Sequence, residues 1–152
     1  MSPLGEHFPS EMLRHLIESK LKPGCVLRLE VKFPKVTKPK FLILVAEDDH
    51  EYLTFIVNSE IHRFIQNQPS LLRCQVSIDA GSHHFLDYDS HVDCNQIWSI
   101  KREEVIHELM ENLAGIQGEI SEEVRSQIIA AVKFAKTIET DKKNRIIAAL
   151  DS

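Results

Sequence analysis

The strongest constraint on the fold is a strand-rich stretch between residues 25 and 100 that has no regular helix between its strands. Residues 25–33 alternate apolar with mostly charged side chains, which is typical of a half-buried strand. Residues 41–46 and 52–57 are apolar runs separated by an acidic turn, and they predict an antiparallel hairpin. Shorter strand candidates follow at residues 71–78, 85–88, 91–94 and 96–100. Because parallel strands would need crossover helices, the pattern predicts a small antiparallel barrel.

Amphipathic helix patterns flank this stretch on both sides. Residues 10–21 repeat apolar side chains at helical spacing, and a Lys-Pro-Gly sequence ends the helix. Three more helix patterns follow residue 100, the second with Ser121 as its N-cap and the third beginning near residue 140. We therefore predict an α+β fold in a single domain, residues 1–152. Its parts are an N-terminal helix (1–22), a barrel (23–100) and C-terminal helices (101–152).

Charge and composition exclude some classes of protein. The net charge is −5, from 18 basic and 23 acidic residues, which excludes a broadly cationic nucleic-acid coat but not a local basic patch. No stretch approaches the roughly 20 apolar residues that span a bilayer, and the N-terminus lacks the pattern of a secretory signal. We therefore expect a cytoplasmic protein with no membrane partner. Its three cysteines have no CxxC spacing and are expected to be buried free thiols, with a catalytic cysteine as the alternative.

Five short motifs occur in a recognisable order between residues 23 and 138. The first is KPGCVLRLEV, in which a glycine leads into the first strand, and a Pro- and Lys-rich loop with KFLILVAED follows it. Next come YLTFIVNSE, FLDYDSHVDCNQIWSI and GEISEEVRSQIIAAV, the last of which fits the pattern G-x-[IL]-S-x-E. In order and spacing, these motifs resemble the MazF/PemK-like group of bacterial toxins, which are small SH3-like barrels. The resemblance implies that the predicted antiparallel barrel is SH3-like.

The resemblance also implies an activity. It points to a metal-independent RNA endonuclease that needs no cofactor, forms a homodimer and is inhibited by a cognate antitoxin protein. In the family, a basic residue on the loop or the next strand and a hydroxyl at the end of the third strand contact the scissile phosphate. Here those positions are Lys40 or Lys38, and Ser59 with Asn58 beside it. The family usually has arginine next to proline, whereas this loop has only lysines, which lack the bidentate fork of a guanidinium.

The loop between the first two strands is the only dense cluster of cations on this acidic chain. Its lysines, together with the lysine just before it, are Lys32, Lys35, Lys38 and Lys40. They would supply the positive charge that RNA cleavage needs at the phosphate. The alternative is a solvated loop that binds nothing. Asn58 and Ser59 also have an alternative explanation, because both residue types are favoured as caps at a strand-to-helix junction.

Residues 83–94 are the most unusual stretch chemically, with three histidines and three aspartates. If the segment is extended, one face would carry Asp87, Asp89, His91 and Asp93, and the other would pack Leu86, Tyr88 and Val92 inward. The polar face fits a solvent-exposed edge strand, acid–base chemistry or a metal site. We expect no metal, and we favour His91 as a general acid or base because imidazole exchanges protons near neutral pH. Arg63, on the short helix after Ser59, is a weaker candidate for RNA contact.

Three functional hypotheses follow. The first is the toxin endonuclease that the resemblance implies. The alternative is a non-catalytic SH3-like barrel that binds a protein or a nucleic acid, and the absence of a loop arginine and the long helical part favour it. The third is a hydrolase that uses residues 83–94 with a metal ion.

Overall fold

A single antiparallel sheet forms the centre of the protein in a computed structural model that describes residues 9–30 and 39–152. Its strands are β1 (Cys25–Leu29), β2 (Lys40–Glu47), β3 (Glu51–Asn58), β4 (Gln75–Ile78), β5 (Ser90–Asp93), β6 (Trp98–Lys101) and β7 (Ile116–Glu119). The helices are α1 (Ser10–Lys20), α2 (Arg63–Gln66), α3 (Pro69–Leu72), α4 (Arg102–Glu111), α5 (Glu122–Phe134) and α6 (Thr140–Asp151). A 3-10 turn, Leu113–Gly115, connects α4 to β7.

The sheet curls because two of its strand pairs contain register shifts. The strand order is β4-β5-β3-β2-β1-β7, and β6 also pairs with β3. One shift lies in the β2–β3 pair between Leu44 and Ala46, and the other lies in the β1–β7 pair between Val26 and Leu27. Such bulges bend a strand and increase its twist. The result is a half-barrel in which the end strands of the described sheet, β4 and β7, do not pair with each other.

A pair of helices covers each face of the sheet. One face packs against α5 and α6 in a core that contains Val26 and Ile128, both fully buried. The other face packs against α1 and α4 in a core that contains Leu27 and Leu109, also fully buried. Val26 and Leu27 are neighbours in β1 but belong to opposite cores, because successive side chains of a strand point to opposite faces. The sheet is therefore buried on both sides.

These findings confirm the predicted α+β fold, with a curled antiparallel sheet, an N-terminal helix and C-terminal helices. The predicted hairpin is formed by β2 and β3, which pair from Phe41↔Val57 to Glu47↔Tyr52. Ser121 caps α5 as predicted, and its Oγ accepts a hydrogen bond from the Val124 N–H at 3.2 Å. Among the described residues, no helix is long and apolar enough to cross a membrane.

Several local predictions are wrong. Residues 71–72 end helix α3 instead of beginning a strand, and residues 85–88 form turns and bends. Strand β7 pairs with β1, so the sheet extends beyond residue 100, where only helices were predicted. Helix α2 is capped by His62, whose Nδ1 accepts from the Phe64 N–H at 3.1 Å, and not by Asn58 or Ser59. The first strand ends at Leu29, and residues 31–33 of its predicted range lie outside the described residues.

An arginine ties the start of β1 to the C-terminal helices. Arg125, on α5, donates to the carbonyl oxygen of Pro23 at 3.1 Å and to that of Leu150, on α6, at 2.8 Å. Gly24 lies beside this arginine with a φ of +97°, and a Cβ added there would lie 2.4 Å from Arg125 Nη2. Glycine therefore permits both the left-handed backbone and the close approach of the guanidinium.

We expect Gly24→Ala to lower the free energy of unfolding by about 1–3 kcal/mol, the usual cost of a non-glycine residue in a disfavoured backbone region. Displacement of Arg125 from Pro23 would add to this loss. Urea denaturation measures it. Gly81→Ala is the control, because Gly81 lies in an exposed turn and its added Cβ would approach only the Asp79 side chain, at 3.3 Å. Equal losses in the two variants would contradict the role given to Gly24.

Candidate functional site

A cavity of about 360 Å³ lies where β1, β2 and β3 meet the loop before β5. Its polar lining consists of Arg28, Lys40, Ser59, Asp87, Tyr88 and Ser90. Its apolar lining consists of Pro39, Phe41, Val57 and Leu86. Two of the three predicted catalytic residues, Lys40 and Ser59, therefore border one cavity. Cations, hydroxyls and a carboxylate surround an apolar floor, and this combination suits a ligand that carries both a phosphate and a base.

Strand register explains which side chains share the cavity face. Phe41 is paired with Arg28 on one side and with Val57 on the other, and Val57 is paired with Val92. Directly paired residues of antiparallel strands point to the same face, so these four form one row across the sheet. The row ends with Arg28, whose Cζ lies 5.9 Å from the centroid of the Phe41 ring.

The next row of the sheet belongs to the opposite face, and it contains the third predicted catalytic residue. His91 on β5 pairs with Asn58 on β3, and Lys40 on β2 pairs with Leu29 on β1. The β2–β3 register, continued by one residue, sets Lys40 opposite Asn58. His91 does not line the cavity that Lys40 and Ser59 border. The structure thus pairs His91 with Asn58 and leaves His91 out of the cavity that Ser59 borders. Lys40 belongs to the row of Asn58 and also borders the cavity.

The remaining predicted RNA-binding residues do not line the cavity within the described part of the chain. Arg63 is exposed at the beginning of α2 and is absent from the cavity wall. Lys32, Lys35 and Lys38 lie outside the described residues. Lys38 directly precedes Pro39, which borders the cavity.

The loop between β4 and β5 supplies one wall of the cavity and is held by carboxylates. Asp79 Oδ2 accepts from the Ser82 N–H at 2.8 Å, and Asp89 Oδ1 accepts from the Ala80 N–H at 2.9 Å. Hydrogen bonds from the hydroxyl and the N–H of Ser82 hold the pKa of the Asp79 carboxyl below its usual value. These contacts set the path of the chain toward residues 86–88.

The predicted polar face of residues 87–93 is therefore wrong in its first half. Strand β5 begins only at Ser90, so Asp87 and Asp89 are in the loop, and only His91 and Asp93 share a strand face. Leu86 and Val92 are buried as predicted. Tyr88, which was predicted to pack inward, is 63% exposed at the cavity. The loop hydrogen bonds outweigh the alternating pattern in this segment.

A buried histidine connects this loop to helix α5. His83 is 1% exposed, and its Nε2 accepts from the Ser121 N–H at 3.0 Å. A backbone N–H only donates, so Nε2 must be unprotonated, and in neutral imidazole the proton is then on Nδ1. Nδ1 lies 2.8 Å from the Asp79 carbonyl oxygen and donates to it. Both ring nitrogens are thus used to join the loop to the N-cap of α5, which leaves neither for a metal or for proton transfer.

The thiols and the acidic residues give no second reactive centre among the described residues. Cys25, Cys74 and Cys94 are free and buried, as predicted. Burial raises the pKa of the Cys25 thiol to about 12, and it also raises the pKa values of the Cys74 and Cys94 thiols. All three are therefore poor nucleophiles at neutral pH. Within residues 9–30 and 39–152, no group of three or more His, Cys, Asp or Glu side chains could hold a metal ion.

The cavity also contains residues to which no sequence motif points. In the alternating pattern of residues 25–33, Arg28 is one of the charged residues on the exposed face of the strand. Its pairing with Phe41 depends on the register between β1 and β2, which has no signal in the local sequence. Tyr88 ends the predicted strand 85–88, and Ser90 lies between that strand and the next predicted one. In the structure, residues 87–88 form a bend before β5, and both side chains line the cavity.

We expect His83→Ala to lower the free energy of unfolding by about 2–4 kcal/mol, because it opens a cavity where the buried ring stood and removes the acceptor of the part-buried Ser121 N–H. Urea denaturation gives the value. His84→Ala is the matched control, because the neighbouring His84 is exposed and its ring packs against that of Phe85 with the centroids 5.7 Å apart. A loss at His83 no larger than the loss at His84 would exclude the bridging role.

The lowered pKa of Asp79 predicts a pH dependence. A carboxyl group whose pKa is depressed by folding stabilises the folded state above its unfolded pKa, and this contribution is lost as the pH falls through the folded pKa. Wild type should therefore be more stable than Asp79→Asn at pH 7, and the difference should disappear below the ordinary value of 3.8. Urea denaturation of both proteins between neutral and acid pH tests this. A difference that is constant with pH would refute it. Ser82→Ala removes one hydrogen-bond donor to the Asp79 carboxylate. It should also be less stable than wild type at pH 7, by less than Asp79→Asn.

No protein-family model matches the chain, and no curated protein matches it.

Proposed function

We propose that the chain is a MazF/PemK-like RNA endonuclease that works without a metal ion, and that its cavity holds the scissile phosphate. One observation carries this proposal: Arg28, Lys40 and Ser59 border the same cavity, with the exposed ring of Tyr88 at its edge. Two cations and a hydroxyl donor are suitable partners for a phosphate. An exposed aromatic ring beside them is a stacking surface for a base of single-stranded RNA.

Chemically, RNA can be cleaved by its own 2′-hydroxyl. The 2′-oxygen loses its proton to a base and attacks the adjacent phosphorus. The bond from phosphorus to the 5′-oxygen breaks, and the leaving 5′-oxygen takes up a proton from solvent water. The products are a 2′,3′-cyclic phosphate and a 5′-hydroxyl. Lys40 and Arg28 stabilise the negative charge on the phosphorus oxygens, and Ser59 donates a hydrogen bond to one of them. Asp87 is the carboxylate of the cavity wall and serves as the base.

A second candidate function is a barrel that binds RNA or a protein without cleaving anything. The composition of the cavity wall favours it, because no imidazole lines the cavity among the described residues. Binding without cleavage would then be the whole activity. The resemblance also implies a homodimer and a cognate antitoxin, which form part of the first proposal.

An RNA cleavage assay tests the proposal. The purified protein is mixed with end-labelled, mixed-sequence single-stranded RNA in the presence of EDTA, and DNA of the same sequence serves as the substrate control. We expect cleavage of the RNA only, with cyclic phosphate ends and no effect of EDTA. Ser59→Ala and Lys40→Ala should each slow cleavage by about 10²-fold, the usual effect of removing one group that stabilises transition-state charge.

Matched variants separate the cavity from the rest of the surface. Ser99→Ala and Lys20→Ala remove an exposed hydroxyl and an exposed ammonium elsewhere, and both should cleave like wild type. His91→Ala should also retain most of its activity, because His91 does not line the cavity. A loss in His91→Ala as large as that in Ser59→Ala would instead assign the chemistry to the row of Lys40, Asn58 and His91. RNA binding without cleavage would support the binding module. A wild-type protein that neither binds nor cleaves RNA would reject the endonuclease and the RNA-binding form of the module.

A further inference from the structure

Strand β4 ends the described sheet, and its outer edge pairs with no other described strand. We infer that this edge and the adjacent flank of helix α5 bind an extended segment of a partner protein. The main chain of that segment pairs with β4, an apolar side chain packs against α5, and a carboxylate contacts Arg73. This binding is independent of RNA cleavage, because its residues do not line the cavity that Lys40 and Ser59 border.

Four main-chain groups of β4 point outward. The Cys94 N–H donates to the Cys74 carbonyl oxygen at 3.0 Å, and the same register continues through β4 and β5. In such a ladder only every second residue bonds to the neighbouring strand, so the N–H and C=O groups of Gln75 and Ser77 point away from β5. No hydrogen bond joins these groups to another described residue, and an added strand can therefore pair with them.

The other end strand of the described sheet, β7, is less suited to such pairing. A register shift interrupts its pairing with β1, and it contains Gly118. Bulges and glycines make an edge a poorer template for another strand. β4 has the sequence QVSI, without proline, glycine or charge, and it pairs with β5 in unbroken register.

A cleft of about 320 Å³ between β4 and α5 has room for a side chain of the added strand. Val76 is buried in the core that contains α5, so a residue added directly opposite Val76 points toward the same helix. There it meets Ala130, Ala131 and the half-buried ring of Phe134. Two small side chains and a ring form an apolar wall, which favours an apolar residue at this position of the segment.

Cations lie at one end of the cleft. The guanidinium of Arg73 is 3.9 Å from the centroid of the Phe134 ring, and Lys136 Nζ is 5.9 Å from the same centroid. Arg73 is exposed, and no described residue forms an ion pair with it or accepts a hydrogen bond from it. The carboxylate of Asp93 lies on the β5 side of β4, where the Gln75 side chain donates to it at 2.9 Å. Arg73 is therefore available to a carboxylate of the partner.

Carboxylates lie toward the opposite end of the cleft. β4 and α5 run in opposite directions, because Arg73 contacts the end of α5 and the loop after β4 is joined through His83 to Ser121 at its start. Asp79, after β4, and Glu123, in the first turn of α5, are therefore at the same end. They repel a carboxylate, so the segment is acidic only toward Arg73.

A peptide library tests the inference with the full chain. Phage that display random dodecapeptides are selected on the immobilised protein, and the selected peptides are synthesised with fluorescein and titrated by anisotropy. We expect peptides that alternate apolar and polar residues and have Asp or Glu toward one end. Their binding should slow hydrogen exchange at the Gln75 and Ser77 amides, measured by NMR, because both amides point outward in the free protein.

Two variants make the result specific to this edge. Ser77→Pro removes an outward N–H but no bond to β5, and proline is tolerated at such positions of an edge strand. It should weaken peptide binding by about tenfold, through the lost hydrogen bond and the obstructing ring. Ser77→Thr keeps the N–H and should bind like wild type. Arg73→Glu should also weaken binding by about tenfold or more. Lys20→Glu, with the same change of charge on α1 at the opposite face, should not.

Selection of no peptide that protects the Gln75 and Ser77 amides would overturn the inference. Wild-type affinity in Ser77→Pro or in Arg73→Glu would do the same, as would an equal loss in Lys20→Glu. If Ser77→Pro melts early, amide protection and Arg73→Glu decide. A wild-type dimer that becomes a monomer in Ser77→Pro, by sedimentation, would assign the edge to a second copy of the chain instead. All four variants should cleave RNA like wild type, and a wild type that does not cleave RNA would reject only the proposed function.

Discussion

The pairing of β3 with three other strands is the constraint on which the sheet and its cavity depend. β2 runs beside β3 along its length, β6 pairs with its first half, and β5 pairs with its last two residues. Phe55 and Ile56 are neighbours in β3, yet they belong to the two opposite cores. A slip of one residue would exchange every side chain between these cores, so the apolar packing on both faces strongly specifies the register. The same register sets Phe41 beside Val57 and thereby brings Arg28 and Ser59 to one cavity.

Much of this architecture could be predicted because its signals are local. β2 and β3 are uninterrupted apolar runs, and α5 has a serine cap followed by an apolar stripe. β7 was missed for the opposite reason. Its sequence is IQGE, with one apolar residue in four, and none of its residues is fully buried. It is a strand because its backbone pairs with that of β1. Long-range pairing of this kind produces little recognisable sequence pattern in a short segment.

The site was predictable only in part, and the difference lies in the loop before β5. Lys40 and Ser59 could be found from motif order, since both lie next to strands with clear patterns. The loop from residue 79 to residue 90 instead follows the hydrogen bonds of Asp79, Asp89 and His83. Histidine and aspartate in this segment looked like candidates for chemistry, but His83 uses both ring nitrogens to hold the loop against Ser121. Side chains that build a site and side chains that act in it belong to the same residue types, so composition alone does not separate them.

The acidic character of the chain bears on how RNA would lie in the cavity. Net charge matters little at close range, because salt screens charges beyond about 8 Å at physiological ionic strength. At that range Arg28 stands between the glutamates of a second, larger cavity of about 660 Å³ and the lysine and hydroxyl of the smaller one. A strand that runs from the phosphate site toward α4 would bring its next phosphate against Glu104 and Glu108. A strand that runs across the ends of β2 and β3 toward Tyr88 would meet an aromatic ring and, among the described residues of that cavity wall, the one carboxylate of Asp87. Under the proposed function, the carboxylates around Arg28 would therefore give a bound RNA a direction, and the net negative charge of the chain is compatible with an RNA substrate.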